Sequence, residues 1–323
     1  MSESLICGTA KKPRTPSFRR ACVSPITDSC RVVALLGIAG IGKTYLAATF
    51  VDSIQDKFNY VFWRSLSSLP TLEQLLTDIL KRLGVETSGA ISPLPQFINI
   101  LREKSCLLVF DDFNSVLQSG DYKGTYLSGY EGYGEIIKEL GVVGSKSCLL
   151  LVSREKPKEI SAKEGKKSPI RSLQLTGLQF TEAKAILQDK DLTDDNNWEE
   201  LVKLYRGNPF ALQIVASIIQ ELFNGSVREY LSHNTIVLGD ISELLTQQFS
   251  RLSATEKEII YWLAINRHPI LLSQLQSDIL SPPSTSILIE VLTSLGRRCL
   301  IEKYVENVEI FFYSPTYGNE ICQ

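Results

Sequence analysis

The residues best suited to chemistry form an octapeptide near the start of the chain. It fits the spacing G-x-x-x-x-G-K-[ST] and reads Gly37-Ile38-Ala39-Gly40-Ile41-Gly42-Lys43-Thr44. Glycines at these positions let backbone N–H groups turn towards phosphates, the lysine reaches the β- and γ-phosphates, and the threonine hydroxyl ligates Mg²⁺. The octapeptide therefore predicts a phosphate-binding loop that holds a nucleotide and a magnesium ion.

The setting of the octapeptide strengthens this prediction. The apolar run 32–36 precedes it, and residues 45–54 read as a helix. The N-terminal dipole of such a helix favours anions, so Tyr45 is counted with the octapeptide as nucleotide-binding. A glycine-rich turn with a surface lysine is the alternative interpretation.

Two carboxylates and an arginine supply further groups for the hydrolysis of a nucleoside triphosphate. Asp111 and Asp112 follow the apolar run 107–110, and Arg154 follows the run 149–152. On a strand neighbouring the loop, Asp111 is predicted to hold Mg²⁺ and Asp112 to polarise the attacking water. Arg154 lies at the sheet edge where ligands of open α/β folds bind, and its permanent charge suits a γ-phosphate sensor. Without the loop, a solvated Asp-Asp turn would be the simpler interpretation.

The elements that position these residues alternate between short apolar runs and helical periods. Strands are predicted at 31–37, 60–66, 106–110, 148–152 and 172–175, and helices at 43–56, 71–84, 94–103 and 134–140. Near-continuous apolar strands separated by helices predict a parallel α/β sheet with helices on both faces, as in a P-loop NTPase. The segments 130–134 and 155–167 are predicted to be surface loops.

After Gly177 the strand signals stop. Helices are predicted at 180–188, 197–206, 209–223 and 239–250, and Ser253 to Glu256 form a capping box that opens another helix. Helices at 271–280 and 285–295 and strands at 299–304 and 308–313 complete the pattern of a winged helix. The predicted organisation is a disordered basic tail at 1–30, a nucleotide-binding domain at 31–176, a helical domain at 177–250 and a winged-helix domain at 251–323.

Composition excludes several classes of function. A formal net charge of −2 over 323 residues gives no general attraction to nucleic acids or anionic membranes. Seven scattered cysteines without a C-x-x-C pair, together with two histidines, indicate reduced thiols and argue against a zinc site. No apolar stretch reaches the roughly eighteen residues of a membrane span. These features predict a cytoplasmic protein.

The ordered set of motifs resembles the NB-ARC branch of the STAND signal-transduction ATPases, in particular bacterial and often cyanobacterial members that precede repeat arrays. The motifs run from the octapeptide through YVFWRSL, LLVFDDF, LLLVSRE and LTGLQFTEA to GNPFAL at 207–212. The resemblance implies a slow adenine-nucleotide switch: ADP holds a closed state, and Mg-ATP permits opening and homo-oligomerisation. It also implies that Pro209 packs against the nucleotide, although a proline at this point would equally mark the first turn of a helix.

Two family features are missing from this sequence. Residues 1–30 contain no G-R-E-type segment ahead of the loop, and the stretch that corresponds to the family's M-H-D histidine reads Phe311-Phe-Tyr-Ser-Pro315. The chain also ends without repeats. A partial family member is therefore expected, with adenine selected only by the family likeness.

Other functions remain open. The winged helix could read DNA with the ATPase as its regulator, although helix 285–295 carries no Lys or Arg and the nearest pair is Arg297-Arg298. A ring ATPase of the AAA+ type would need an arginine aimed at the neighbouring subunit's nucleotide, and no motif marks one. Nucleotide binding without turnover is the last alternative. An effector protein is expected, and its identity is not encoded in any motif.

Overall fold

The computed structural model describes residues 30–85, 92–142, 146–165, 167–236, 239–266, 268–306 and 309–314. The predicted basic tail therefore lies outside the described residues, apart from Cys30, which is fully buried. We refer below to the sheet unit (residues 30–176), the helical unit (177–250) and the C-terminal unit (251–314). Among the described residues, no helix has the length and apolar character that crossing a bilayer requires.

The sheet unit contains five parallel strands. They are β1 (Val32–Leu36), β2 (Tyr60–Ser65), β3 (Cys106–Asp111), β4 (Cys148–Ser153) and β5 (Ile170–Gln174), in the spatial order β2-β3-β4-β1-β5. Every residue of β1, β3 and β4 is buried, which explains their continuous apolar sequences. The predicted parallel α/β fold is confirmed. One detail was wrong: β3 does not neighbour β1, because β4 lies between them.

Helices cover both faces of this sheet. They are α1 (Lys43–Ile54), α2 (Leu72–Arg82), α3 (Pro93–Glu103), α4 (Gly132–Leu140) and α5 (Lys158–Lys163). Thr71 and Gln74 form a reciprocal capping box at the start of α2. Pro93 opens α3, where its missing N–H removes no helical hydrogen bond.

Both surface-loop predictions were wrong in part. Tyr133 is buried in α4, where its ring packs edge-to-face on Phe110 with centroids 5.8 Å apart and its hydroxyl donates to Pro70 O at 2.8 Å. In the segment 155–167, Glu155 and Glu159 are buried, and α5 forms. Their charge suggests solvent exposure, but partners that are distant in sequence satisfy both carboxylates.

The helical unit packs around its own apolar core. Its helices are α6 (Phe180–Asp189), α7 (Trp198–Leu204), α8 (Pro209–Leu222), α9 (Val227–Ser232) and α10 (Asp240–Ser250). The short α9 has no counterpart among the predicted helices. Trp198, Tyr205, Leu212 and Val215 lie in this core. Asn208 caps α8 by accepting hydrogen bonds from the N–H groups of Phe210 and Ala211.

The C-terminal unit combines three helices with a small antiparallel sheet. Its elements are α11 (Ala254–Asn266), β6 (Ile270–Leu271), α12 (Leu272–Asp278), α13 (Thr285–Arg297), β7 (Glu302–Glu306) and β8 (Glu309–Tyr313), with the strands in the order β6-β8-β7. The predicted capping box is present: Ser253 N donates to Glu256 Oε2 at 2.8 Å, and Glu256 N donates to Ser253 Oγ at 3.1 Å. The winged-helix classification stays a prediction.

Candidate functional site

The loop between β1 and α1 needs two of its glycines. Gly40 and Gly42 have φ values of 74° and 90°, a conformation that other residues rarely adopt. A Cβ at Gly40 would also lie 3.0 Å from both Asn208 Oδ1 and Phe210 Cβ. Because α1 begins directly after this turn, at Lys43, its first N–H groups lack helical acceptors and lie at the loop. This arrangement suits the binding of an anion.

Lys43 folds its ammonium group back over the loop. Its Nζ donates to Gly37 O at 3.0 Å and to Ile38 O at 2.9 Å. Burial and the nearby charge of Arg154 together lower the pKa of Lys43 to about 8, although the carboxylates at the end of β3 oppose the shift. The ammonium is thus poorly solvated and only partly compensated by nearby carboxylates. An anion bound at the loop would stabilise its charged form. The next residue but one, Tyr45, has a side chain that is 56% exposed, and only its backbone lies in the first turn of α1.

Thr44 and Asp111 contact each other, although β1, which precedes Thr44, and β3, which ends at Asp111, are not adjacent in the sheet. Thr44, in the first turn of α1, donates from Oγ1 to Asp111 Oδ1 at 3.3 Å, with β4 lying between β1 and β3. Asp111 is buried, and burial raises the pKa of its carboxyl, as does the neighbouring charge of Asp112. A buried carboxylate beside a hydroxyl is a pair of hard oxygen donors of the kind that Mg²⁺ prefers.

These two oxygens suit a magnesium ion bound together with a nucleotide better than a metal site made only of protein ligands. Among the described residues, no group of three or more His, Cys, Asp or Glu side chains could hold a metal ion. Mg²⁺ in nucleotide sites usually takes one or two protein ligands and completes its shell with waters and phosphate oxygens. Thr44 and Asp111 could supply these one or two protein ligands.

Asp112 has an uncommon backbone conformation for a residue other than glycine. Its φ is 53°, and it begins the short 3₁₀ turn Phe113–Val116. Its Oδ2 accepts a hydrogen bond from Ser65 Oγ at 3.2 Å, at the end of β2. Strain of this kind is often found at functional sites. The carboxylate stands at the strand edge next to Asp111, as predicted, and Ser65 is a partner that the sequence did not single out.

Arg154 lies at the end of β4, in the vicinity of Lys43 and Asp112. Its backbone N–H donates to the side-chain Oδ1 of the buried Asn114 at 3.1 Å. Burial lowers the pKa of the guanidinium, although the group stays charged. Lys43, Asp112 and Arg154 thus lie near one edge of the sheet, and their catalytic roles stay predictions. No signal in the sequence indicated Asn114, which fixes the backbone of the arginine.

The helical unit packs directly on the loop. Asn208 Nδ2 donates to Ala39 O at 3.1 Å, while its Oδ1 caps α8. Pro209 opens α8, and its Cγ lies 3.9 Å from where a Cβ on Gly42 would be. Pro209 therefore both starts the helix and lies beside the loop, so the two interpretations of this residue are compatible. Asn208 could have been found from the sequence as a cap before proline, but not as a contact to the loop.

A cavity of about 170 Å³ lies between the loop and the C-terminal unit. Its walls come from the loop, the end of β5, the helical unit and the C-terminal unit, including Ile38, Ile41, residues 174–177, Arg206, Asn208, Cys299, Glu302 and Tyr313. Tyr313, from the stretch where the histidine is missing, donates its hydroxyl to Glu302. Burial and that carboxylate raise the pKa of Tyr313 to about 12, so it stays protonated.

Comparisons with known proteins bear on this site. Residues 31–191 match the model of the NACHT domain. Over 294 residues the chain is 40% identical to an uncharacterized WD repeat-containing protein of Nostoc sp., covering 85% of this chain and 23% of that protein. It is 25% identical over 243 residues to the disease resistance protein RPP2A of Arabidopsis thaliana, covering 72% of this chain and 17% of that protein. The chain thus spans less than a quarter of either relative.

A solved structure supports the fold. The ORC2 protein of Aeropyrum pernix, in its ADPNP-ADP complexes, aligns with a TM-score of 0.53 over 95% of this chain and 90% of that one, at 15% identity. At such low identity the likeness concerns the fold alone. The NB-ARC class that the motifs resemble is not confirmed. Residues 31–191 thus match the NACHT domain of the STAND P-loop ATPases, and the geometry of the loop agrees with the nucleotide binding that this match implies.

Proposed function

We propose that this chain is an adenine-nucleotide switch of the NB-ARC kind. It binds ADP or Mg-ATP at the loop, hydrolyses ATP slowly, and changes conformation and oligomeric state with the nucleotide. The observation that carries the proposal is the contact of 3.3 Å between Thr44 Oγ1 and Asp111 Oδ1 beside the folded-back ammonium of Lys43. A hydroxyl and a carboxylate that could bind a cation, and an ammonium that could bind phosphate, thus lie together at one helix N-terminus, which supports the proposal.

Each predicted site residue has a role in this scheme. Lys43 and the N–H groups of the loop would bind the β- and γ-phosphates, and Thr44 and Asp111 would ligate magnesium. The metal, when bound, neutralises charge on the phosphates. Asp112 would orient the attacking water, and the guanidinium of Arg154 would contact the γ-phosphate. Pro209 would lie against the nucleotide from the helical unit.

The surroundings of the loop favour a switch over rapid turnover. The helical and C-terminal units both border the cavity next to the loop. They would enclose a nucleotide bound there and so slow its exchange. Asp112 is also engaged by Ser65 Oγ at 3.2 Å, so its carboxylate would have to reorient to act on water. Slow exchange and slow hydrolysis suit a latch that reports which nucleotide is bound.

The DNA-reading alternative is less well supported. The arginine pair at the end of the candidate reading helix α13 is already engaged: Arg298 is 3% exposed, and Arg297, the last residue of the helix, donates from Nη1 to Tyr122 O at 3.2 Å. Neither guanidinium is free to reach a phosphate or a base edge. The nucleotide switch therefore remains better supported than a DNA-binding regulator.

Replacing Lys43 tests the proposal directly. Lys43→Ala should abolish the retention of labelled ADP on a desalting column, because the charge that binds the β-phosphate is gone. Lys57→Ala is the matched control, since Lys57 is an exposed lysine shortly after α1. If Lys43→Ala retains ADP as well as the wild-type chain does, the loop is not the nucleotide site.

A further inference from the structure

A single buried carboxamide connects the loop to the C-terminal unit. Gln248, near the end of α10, is 2% exposed. Its Oε1 accepts a hydrogen bond from Ala39 N at 3.2 Å, and its Nε2 donates to Arg298 O at 3.1 Å. These two partners, Ala39 and Arg298, lie 209 and 50 residues away from Gln248 along the chain. One side chain of the helical unit thus bridges the loop and the C-terminal unit.

The peptide that Gln248 contacts is held from its other side as well. Ala39 O accepts the Nδ2 donor of Asn208 at 3.1 Å. Two buried carboxamides from outside the sheet unit therefore satisfy both ends of residue 39, in the middle of the loop. The conformation of the loop depends on these amides, because a buried peptide group without a partner is strongly disfavoured.

The partner of Gln248 in the C-terminal unit is itself firmly anchored. Arg298 is 3% exposed, and its Nη1 lies 2.8 Å from Glu155 Oε1, while its Nε lies 3.1 Å from Glu256 Oε1. Glu155 also pairs with Arg251, whose Nη2 donates to the carbonyls of Asn114 and Leu117 at 2.9 Å each. The buried Arg298 and the half-buried Arg251 thus meet two buried carboxylates. Glu155 directly follows Arg154, so the same cluster borders the strand edge with the predicted sensor.

This geometry makes the two bonds of Gln248 interdependent. If the C-terminal unit moved away, the amide N–H₂ group would lose its acceptor inside a desolvated site. The side chain would then turn towards water or another acceptor, and its Oε1 would release Ala39 N. A buried polar side chain with two partners keeps its position only while both remain.

We propose that Gln248 is a positioning residue that makes retention of the nucleotide by the loop depend on the seating of the C-terminal unit. While Arg298 holds its place, Gln248 keeps the loop in the conformation that binds phosphate; when the unit leaves, the loop relaxes and the nucleotide dissociates faster. The inference rests on the proposed nucleotide site. It assigns a link between loop and C-terminal unit that does not need the missing histidine.

The first test measures how fast a bound fluorescent ADP analogue dissociates when chased with excess ADP. Gln248→Met keeps the length of the side chain but removes both hydrogen bonds, and should raise the dissociation rate constant about tenfold, equivalent to about 1.4 kcal/mol. Gln247→Met is the matched control on the exposed side of the same helix and should leave the rate unchanged. A lower unfolding midpoint with an unchanged dissociation rate would mean a purely structural role and overturn the proposal.

A second arm reaches the same link from the other end. Glu155→Gln removes the carboxylate that anchors Arg298, and should also raise the dissociation rate about tenfold. Glu164→Gln, an exposed carboxylate paired with Lys156, is the control. The double variant Gln248→Met/Glu155→Gln should dissociate no faster than the faster single variant, because both changes break one connection. If the fold increases of the two single variants multiplied in the double variant, the two residues would act separately, and the proposal would be wrong.

The outcomes separate this inference from the proposed function. If Lys43→Ala still retains ADP, the nucleotide site itself is wrong. If Lys43→Ala loses ADP while Gln248→Met and Glu155→Gln keep wild-type dissociation rates, the site stands and the link is wrong. Should Gln248→Met fail to fold, the comparison of Glu155→Gln with Glu164→Gln decides the question alone.

Discussion

On one side of the candidate site are Lys43 and Thr44, from the first turn of α1, together with Asp111 and Arg154, from the ends of β3 and β4. On the other side, Asn208, Gln248, Glu155 and Arg298 meet through contacts between segments that are distant in sequence. We call these sets the strand-edge group and the contact group. Side chains of the strand-edge group are held in unfavourable surroundings, shown by the lowered pKa of Lys43 and the raised pKa of Asp111. The contact group is instead paired and hydrogen-bonded.

This difference teaches that the two groups affect stability in opposite directions. Charges left poorly compensated in the fold reduce stability and are ready to bind a ligand. Charges that are buried and paired become strongly destabilising only when one partner is removed. Substitutions in the two groups should therefore separate ligand binding from folding.

The largest effect is expected in the contact group. Arg298→Met leaves the buried Glu155 and Glu256 without their shared cation and should destabilise the fold by about 3–5 kcal/mol. Arg102→Met removes an exposed ion pair, 3.1 Å long, with Glu139, and should cost at most about 1 kcal/mol. Urea unfolding followed by tryptophan fluorescence measures both. Equal losses in the two variants would break the contrast between buried and exposed pairs.

The strand-edge group should show the opposite pattern. Asp111→Asn should weaken Mg-dependent nucleotide affinity at least tenfold, on the order of 1.4 kcal/mol or more, because the proposed magnesium ligand loses its charge. The same variant should unfold at higher urea than the wild-type chain near neutral pH without nucleotide. Burial raises the pKa of Asp111, so the carboxylate opposes folding above that pKa, and the amide removes this term. A lower unfolding midpoint for Asp111→Asn would place Asp111 with the stabilising residues instead.

The pKa of Lys43 gives a dependence on pH. Phosphate binding favours the charged ammonium, so affinity for ADP should be constant below the free-state pKa of about 8 and should fall as pH rises above it. The limiting slope is about tenfold per pH unit, up to the pKa of the complex. The sign for folding is opposite: a lysine whose pKa is lowered below 10.5 makes the ligand-free fold more stable as pH rises from about 8 towards that value.

Titration of ADP at several pH values and constant ionic strength checks the affinity. Lys57→Ala should follow the wild-type curve, since Lys57 is exposed and lies away from the loop. A flat affinity between about pH 7.5 and 9.5 would mean that Lys43 does not titrate in this range.

The smallest effect concerns a residue that belongs to both a helix cap and the loop. Asn208→Ala should cost about 1–2 kcal/mol of stability through the lost cap and should weaken ADP binding severalfold through the lost bond to Ala39. Ser226→Ala removes a cap of α9, where Ser226 Oγ accepts from Glu229 N at 3.2 Å, and should cost a similar amount without changing ADP affinity. Equal ADP affinity in the two variants would remove Asn208 from the contact group.

The strand-edge group and the parallel fold could be predicted because their signals are local. Apolar runs end in Asp111 and Arg154, and the loop motif is contiguous, so period and spacing suffice. The position of β3 was missed because strand order is not local: only pairing shows that β4 lies between β1 and β3. Ser65 could have been found from the same rule of strand ends.

The contact group could not be predicted for a physical reason. Glu155 lies in a charged segment that favours a solvated loop, and its burial becomes possible only through Arg251 and Arg298, about 100 residues or more away. Gln248 lies next to the exposed Gln247, and nothing in the local pattern distinguishes their amides. Such residues become recognisable only when the packed units bring their partners together.

The most direct test of the nucleotide switch is to denature the purified chain and identify the released nucleotide by chromatography. The account predicts adenine nucleotide, chiefly ADP, in an amount approaching that of the protein, and none from Lys43→Ala prepared in parallel. Release of guanine nucleotide, or of equal adenine nucleotide from Lys43→Ala, would contradict it.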